Sequence, residues 1–173
     1  CLKAVRQALG KTVLPPPRPG WSRGTGIAAS YKNVGLGIGM DDSAGAYCEL
    51  LPDGNLLLRI GSVDMGQGAN TVMAQILSET LGWPYSRIIV HSADSEQDPR
   101  AGMTTASRQT FVTGNAVLQM ALELKAKLFS LLSREYQVTP GEVILTEEGI
   151  GITLSGPDKE QAVVSYSDFG RVM

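Results

Sequence analysis

The stretch from Ser62 to Pro84 reads SVDMGQGANTVMAQILSETLGWP, and it decides how the surrounding chain is organised. It passes from a glycine-rich turn into apolar positions of helical period, which predicts a helix over residues 70–81. The apolar side chains near one face of that helix are Val72, Ile76, Leu77 and Leu81. Gly82 and Pro84 follow directly and end the helix, since glycine suits its C-terminus and proline cannot continue it.

Upstream, two apolar runs at residues 44–51 and 56–63 are joined by Pro52-Asp53-Gly54-Asn55. These are strong turn residues, so the pattern predicts a β-hairpin. A further strand is expected over residues 24–36, GTGIAASYKNVGL.

Downstream, the pattern predicts a short strand from Arg87 to Ser92 and a polar loop over roughly 93–105. A long helix follows from about Ser107 to Tyr136, in which Gly114 is a weak point. Residues 142–154 indicate a second hairpin that turns at Glu148-Gly149.

The predicted class is α+β, because strands and helices do not alternate strictly enough for a doubly wound sheet. We expect a mixed sheet of hairpins packed against one medium and one long helix. Residues 1–20 are predicted to be a helical remnant with a proline-rich linker, PPPRPG, and residues 21–173 to be one partial domain. The chain starts at Cys1 inside an apparent helix and ends after SYSDFG, where Ser165 or Ser167 is typical of a helix cap. We therefore expect a segment of a longer protein.

Composition excludes several function classes. The chain has 173 residues, 43% of them hydrophobic, and a formal net charge of −2, which gives no basic surface for nucleic acid or an anionic membrane. No apolar run reaches the roughly 20 residues that span a bilayer. With only Cys1, Cys48 and one histidine, a zinc site or cysteine-ligated cluster is not expected, and a reducing, cytoplasmic compartment fits.

Two familiar glycine motifs fail on spacing. Gly35, Gly37 and Gly39 do not match the dinucleotide fingerprint, because the third glycine is one position early and no helical pattern follows. The segment GSVDMGQG at residues 61–68 is no Walker loop, since no Gly-Lys-Ser/Thr follows it.

Two helix starts are candidates for binding an anion. Gly66, Gln67 and Gly68 lie between a strand and a helix, where free N–H groups and the helix dipole favour negative charge. An ordinary strand–helix turn is the alternative. The second candidate is GMTTASRQT at residues 102–110, with hydroxyls for phosphate oxygens and Arg108 for charge. Its alternative is an N-cap cluster.

Other polar residues fit structural roles better. His91 is expected to be solvated or hydrogen-bonded, and Asp94, Glu96 and Asp98 to lie in a solvated loop rather than to form a carboxylate pair for catalysis. Asp64 is expected to accept hydrogen bonds from its own backbone.

The two candidate segments also carry a family resemblance. SVDMGQGANTVMAQILSETLGWP, followed by DSEQDPRAGMTTASRQTFVTGNAV, resembles the molybdopterin-binding subunit of the xanthine dehydrogenase and aldehyde oxidase family. The MGQG turn, the Ala74-Gln75 pair and the TASR-x-T turn before Gly-Asn-Ala occur in the same order and at similar spacing. The similarity covers roughly residues 21–130.

The resemblance implies a molybdenum–pyranopterin cofactor, in bacteria commonly the cytosine dinucleotide form. The family hydroxylates small-molecule heterocycles or aldehydes with water-derived oxygen and passes electrons to iron–sulfur clusters and flavin (FAD), here on other domains or subunits. Gln67, flanked by Gly66 and Gly68, would lie near the metal end of the cofactor without ligating the metal. The second turn would contact it through Ala106, Ser107, Arg108, Gln109 and Thr110.

The chain also departs from the family pattern. The catalytic glutamate of a Gly-x-Gly-Glu turn is missing, since Gly149-Ile150-Gly151 is followed by Ile152. We therefore expect no catalytic residue here, and partners that include the rest of the molybdenum subunit and the iron–sulfur and flavin subunits. The competing hypothesis is a non-catalytic module that binds a phosphorylated ligand or a partner protein.

Overall fold

The computed structural model describes residues 1–139, 142–146, 148–153 and 161–172. Ten helices and strands lie within these residues, besides a short 3₁₀ turn at Tyr85–Arg87. They are α1 (Leu2–Lys11), β1 (Ala46–Leu50), β2 (Leu56–Ile60), α2 (Ala69–Leu81), β3 (Ile88–Ser92), α3 (Gln109–Tyr136), β4 (Val143–Leu145), β5 (Ile150–Thr153), β6 (Gln161–Val164) and α4 (Tyr166–Val172).

The chain divides into two units at Lys32/Asn33. The first unit contains α1, none of whose residues is buried, and the proline-rich segment after it. The domain boundary predicted at residue 20 stays a prediction.

The strand predicted over residues 24–36 is wrong, because that stretch contains no strand. A strand persists only where a neighbouring strand completes its hydrogen bonds. No partner pairs with this segment, and Ile27 and Tyr31 stay exposed.

The first sheet has the order β1-β2-β3. β1 and β2 form the predicted antiparallel hairpin, with Leu50 opposite Leu56 across the turn. β3 lies parallel to β2, with Leu56 opposite Ile88. Because α2 connects these two strands, β2, α2 and β3 form a strand–helix–strand unit.

The core is centred on β2. Leu56, Leu58 and Ile60 alternate along that strand and are completely buried. The predicted helix is confirmed as α2, whose buried residues include Met73, Leu77 and Leu81. The long predicted helix is confirmed as α3, and its buried residues include Val117, Ala121, Leu128 and Leu132.

Gly114, the predicted weak point of α3, has a packing role. It is buried in the helix, and a Cβ atom there would lie 3.0 Å from the Cδ1 atom of Ile76 on α2. Glycine therefore lets the two helices approach closely, at the usual cost in helix propensity.

The second sheet has the order β4-β5-β6 and is antiparallel. β4 and β5 confirm the predicted hairpin around Glu148-Gly149, although residue 154 lies outside the described residues. β6 was not predicted. Ser165 caps α4, since its Oγ accepts a hydrogen bond from the Asp168 N–H at 3.1 Å, which confirms one of the two predicted caps.

Gly54, in the turn of the first hairpin, is packed against α4. The indole of Trp83 donates to its carbonyl at 3.3 Å, and the Trp83 and Tyr166 rings lie 4.1 Å apart. Gly54 has a φ of 82°, and a Cβ atom there would lie 2.3 Å from the backbone carbon of Tyr166. This position therefore restricts both backbone conformation and side-chain volume.

Gly54→Ala should lower the free energy of unfolding by about 3 kcal/mol or more, because left-handed strain adds to a steric clash. Gly82→Ala is the matched control: its φ is 81°, but its nearest neighbour would be Leu145 at an ordinary 3.6 Å. The control should cost about 1 kcal/mol. Denaturant unfolding of both variants gives the comparison, and equal losses would contradict the packing role.

Candidate functional site

The two predicted cofactor turns lie at one edge of the first sheet. β2 and β3 run parallel, so their carboxyl ends meet at the same edge. The turn at residues 61–68 follows β2 and leads into α2, and the loop at residues 93–108 follows β3 and leads into α3. In open sheets of this kind, ligands bind outside the carboxyl ends of the strands.

The start of α2 already holds a negative charge. The carboxylate of Asp64 accepts hydrogen bonds from the N–H groups of Gly66 at 2.9 Å, Gly68 at 3.2 Å and Asn70 at 3.0 Å. These backbone hydrogen bonds, that from Asn70 first, hold the pKa of Asp64 below its ordinary value. The expected role of Asp64 is confirmed. The expectation of free N–H groups for an external anion is wrong at this helix, because the chain supplies its own.

The Gln67 side chain is folded over its own turn. Its Oε1 accepts from the Met65 N–H at 2.6 Å, and its Nε2 donates to the Val63 carbonyl at 2.9 Å. The residue is nevertheless exposed. Positions for a Cβ atom on Gly66 and Gly68 have no atom within 4 Å, so a ligand can come close to this backbone.

In the second turn, Arg108 faces inward. Its side chain is completely buried and pairs with the carboxylate of Asp42. The same guanidinium donates to the carbonyls of Ala101, Met103 at 2.9 Å and Ser43 at 3.0 Å. The expectation that Arg108 offers its charge to an anion is therefore wrong, because all this hydrogen-bonding capacity is used within the fold.

Gln109 also faces inward. It is buried, and its Nε2 donates to the Thr104 hydroxyl at 2.9 Å and to the Met103 carbonyl at 3.3 Å. Its Oε1 accepts from the hydroxyl of Thr113, which is fully buried on α3. The side chain thus fixes the loop before α3.

Ser107 and Thr110 are the members of this turn that reach solvent with a hydroxyl. Ala106 and Ser107 both have a φ of 50°, a left-handed conformation that costs a residue with a side chain of order 1–3 kcal/mol. A groove of about 470 Å³ lies beside them. It is lined by Val34, Ile76, Ser107, Thr110, Phe111, Gly114, Asn115 and Leu118.

Thr104 joins the two turns, a role that the sequence did not reveal. Its Oγ1 accepts from the N–H of Val63, 41 positions earlier, at 3.0 Å, as well as from Gln109. Thr104 lies inside the quoted segment at 102–110, yet a hydroxyl among several gives no sign of its partner. Asp42 was missed for the same reason, since it is 66 positions from Arg108.

The polar loop after β3 is closed by its own carboxylates. Asp98 lies 2.8 Å from Nδ1 of His91 and accepts from the Asp94 N–H at 2.8 Å. Asp94 accepts from the N–H groups of Glu96 and Gln97, which hold its pKa below the ordinary value. His91 is therefore hydrogen-bonded, as expected, and these carboxylates have structural roles.

Metal ligands and membrane spans were also sought in the part of the chain that the structure describes. No group of three or more His, Cys, Asp or Glu side chains there is arranged to hold a metal ion. No helix there is long and apolar enough to cross a membrane.

A family model described as the molybdopterin cofactor-binding domain matches residues 8–171. The chain belongs to this family. It is 34% identical over 110 residues to the xanthine dehydrogenase molybdenum-binding subunit of Escherichia coli O157:H7, and 34% identical over 110 residues to the carbon monoxide dehydrogenase large chain of Hydrogenophaga pseudoflava. Each alignment covers 62% of this chain, but only 14% and 13% of the respective relatives.

The fold of this molybdopterin cofactor-binding domain agrees with solved structures. It superimposes on Cu,Mo-CO dehydrogenase with a TM-score of 0.64 at 24% identity, covering 82% of this chain and 18% of that one. The predicted α+β class is thereby confirmed. The chain spans about a seventh of its xanthine dehydrogenase relative, so it is one portion of a larger enzyme architecture.

Asp64→Asn should destabilise the fold at neutral pH, because the negative charge at the start of α2 is lost. The folded-state pKa of Asp64 is depressed, so its contribution is complete above the unfolded value of about 3.9 and disappears as the pH falls through the lower folded value. The melting-temperature difference from the parent should stay constant between neutral pH and about pH 5 and shrink below about pH 4.

Glu79→Gln is the control for this pH series, because Glu79 is an exposed carboxylate on α2. A difference between Asp64→Asn and the parent that persists undiminished in acid would show that the carboxylate charge does not stabilise the turn.

Proposed function

We propose that this chain forms one wall of the molybdenum–pyranopterin site of a hydroxylase, through the Gln67 turn and the Ser107–Thr110 turn. The observation that carries the proposal is their placement. Both turns lie at the carboxyl edge of two parallel strands and are joined through Thr104. One offers an open glycine backbone and the other offers outward hydroxyls on a strained turn.

The residues fit such a cofactor in shape and chemistry. A pterin is flat and rich in hydrogen-bonding groups, and the open backbone at Gly66 and Gly68 admits a flat ligand to close range. The exposed amide of Gln67 can both donate and accept. The hydroxyls of Ser107 and Thr110 can donate to phosphate or pterin oxygens.

The start of α3 is better suited to the anionic part of the ligand than the start of α2. α3 has no side-chain cap, whereas the N–H groups at α2 are used by Asp64. Uncapped N–H groups and the helix dipole favour a phosphate at the former position. Ala106, Arg108 and Gln109 contribute by shaping this turn, with the last two using their side chains inward.

When bound, the cofactor supplies the oxidative chemistry that adds water-derived oxygen to carbon. The residues of this chain bind and orient it and contribute no catalytic group. In the complete enzyme we propose a heterocycle or aldehyde as substrate, with electrons passing to iron–sulfur and flavin centres on other domains or subunits. A cytosine dinucleotide form of the cofactor and the remainder of the molybdenum subunit as partner complete the proposal.

A cytoplasmic location is part of this proposal. Both cysteines are free, and burial raises the pKa of the Cys48 thiol to about 12, so it is unreactive. Free thiols of this kind suit a reducing compartment.

Ser107→Ala and Thr110→Ala, introduced together into the complete enzyme, should lower the molybdenum content and leave the melting temperature of the apo form unchanged. Each lost hydroxyl removes a hydrogen bond worth about 0.5–1.5 kcal/mol, so the pair should weaken cofactor binding about tenfold or more. Metal analysis and pterin fluorescence give the content. Gln67→Ala should lower it as well.

Ser95→Ala is the matched control, because Ser95 is exposed in the loop at residues 93–100, before the second turn. Parent-level molybdenum in all the site variants would refute the assignment of these turns.

The complete enzyme should oxidise a heterocycle or an aldehyde and place oxygen from isotopically labelled water in the product. Carbon monoxide belongs in the same substrate panel, because one relative is a carbon monoxide dehydrogenase. A complete protein that contains no molybdenum and binds only a phosphorylated ligand or a partner protein would favour the non-catalytic alternative.

A further inference from the structure

Arg108 is the centre of a network that closes on the second turn. Its guanidinium is completely buried, whereas the Asp42 carboxylate that it pairs with is 24% exposed. It also donates to three carbonyls, two of them in the loop before α3 and one, that of Ser43, in the segment around Asp42. The single side chain therefore connects two segments that are about 60 residues apart in sequence.

The network returns to the turn through the other side of Asp42. The second carboxylate oxygen accepts from the N–H of Leu36 at 2.8 Å. The neighbouring Gly35 donates its N–H to the carbonyl of Ala106 at 3.0 Å. Ala106 is two positions before Arg108, so the contacts form a closed ring from guanidinium to carboxylate to backbone and back to the turn.

This ring surrounds the two left-handed residues, Ala106 and Ser107. A non-glycine residue keeps such a conformation only where its surroundings over-determine it. The ring supplies that constraint, since Gly35 holds the Ala106 carbonyl and Arg108 holds the loop on its other side. Gly102 leaves the space that the guanidinium occupies, because a Cβ there would lie 3.1 Å from Nη1.

A lysine could not replace Arg108 in this ring. An ammonium group is a point charge with three donors, whereas the guanidinium is a planar fork that can reach separate acceptors in fixed directions. The charge is likewise used for geometry, because the Arg108 hydrogen bond holds the pKa of Asp42 below its ordinary value and keeps the carboxylate ionised.

We propose that Arg108 and Asp42 are positioning residues, which hold Ala106 and Ser107 in the left-handed conformation that presents the Ser107 and Thr110 hydroxyls to the cofactor. This inference rests on the proposed function of the turn. It assigns the buried ion pair to cofactor retention, although neither side chain touches the ligand.

The test uses the complete enzyme and measures three quantities: molybdenum content, pterin content, and the half-time of molybdenum loss on warming below the melting transition. Asp42→Asn keeps the shape of the side chain and removes its charge. Arg108→Lys keeps the charge and removes the fork. We expect each variant to shorten the half-time about tenfold, the scale of effect of residues that support a cofactor contact indirectly. Arg100→Lys is the control, because Arg100 is exposed in the same loop.

Adding Ala106→Gly separates positioning from general destabilisation. Glycine adopts positive φ without strain, so it should restore much of the half-time in Asp42→Asn and Arg108→Lys. It should not restore their melting temperatures, because the buried ion pair stays broken. Should Asp42→Asn fail to fold, Arg108→Lys with and without Ala106→Gly provides the same comparison.

Three results decide the matter. Parent-like half-times in the single variants would overturn the positioning role, and so would shortened half-times that Ala106→Gly does not restore. Shortened half-times restored by glycine support it. A parent enzyme without molybdenum or pterin would instead refute the proposed function itself, independently of the variants.

Discussion

The parallel pairing of β2 with β3 is the constraint on which the rest of this structure depends. β2 is buried along its length and carries the centre of the core, and α2 must cross from its end to the start of β3. The connection places the carboxyl ends of both strands side by side. Two loops that are about 40 residues apart therefore meet at one edge, where the Thr104 hydroxyl joins them. The candidate site is a consequence of this pairing more than of either loop alone.

The charges around that edge are neutralised inside the chain. Asp64 compensates the start of α2, and Asp42 compensates Arg108. What faces outward is neutral and polar: an amide, two hydroxyls and open backbone. Such a surface suits a large, hydrogen-bonding cofactor that must be oriented, because neutral donors give direction without the strong attraction that a free cation would offer to any anion. The uncapped start of α3 is the place where negative charge is favoured.

The chain covers a small part of its relatives, and the site has the same partial character. It provides two turns and a groove, while the catalytic glutamate expected from the family pattern lies in no segment of this sequence. Binding and chemistry are thus contributed by different stretches of a long polypeptide. A turn that serves such a shared site has to be rigid by itself, and the ring around Ala106 and Ser107 gives it that rigidity within this chain.

The sequence by itself determined the elements with strong local signals. The helical period of residues 70–81, the Pro-Asp-Gly-Asn turn and the long apolar pattern of α3 each depend on neighbours in sequence, and each is present in the structure. The family could also be identified, because two long motifs occur in order. The strand expected over 24–36 failed, because a strand depends on a partner that sequence alone does not provide. The orientation of side chains was decided only by tertiary structure. Arg108 looks like an anion ligand in the sequence, yet a carboxylate 66 positions away turns it inward and leaves Ser107 and Thr110 to face the groove. Hydrogen bonds between distant segments have no local pattern, so only the folded chain reveals them.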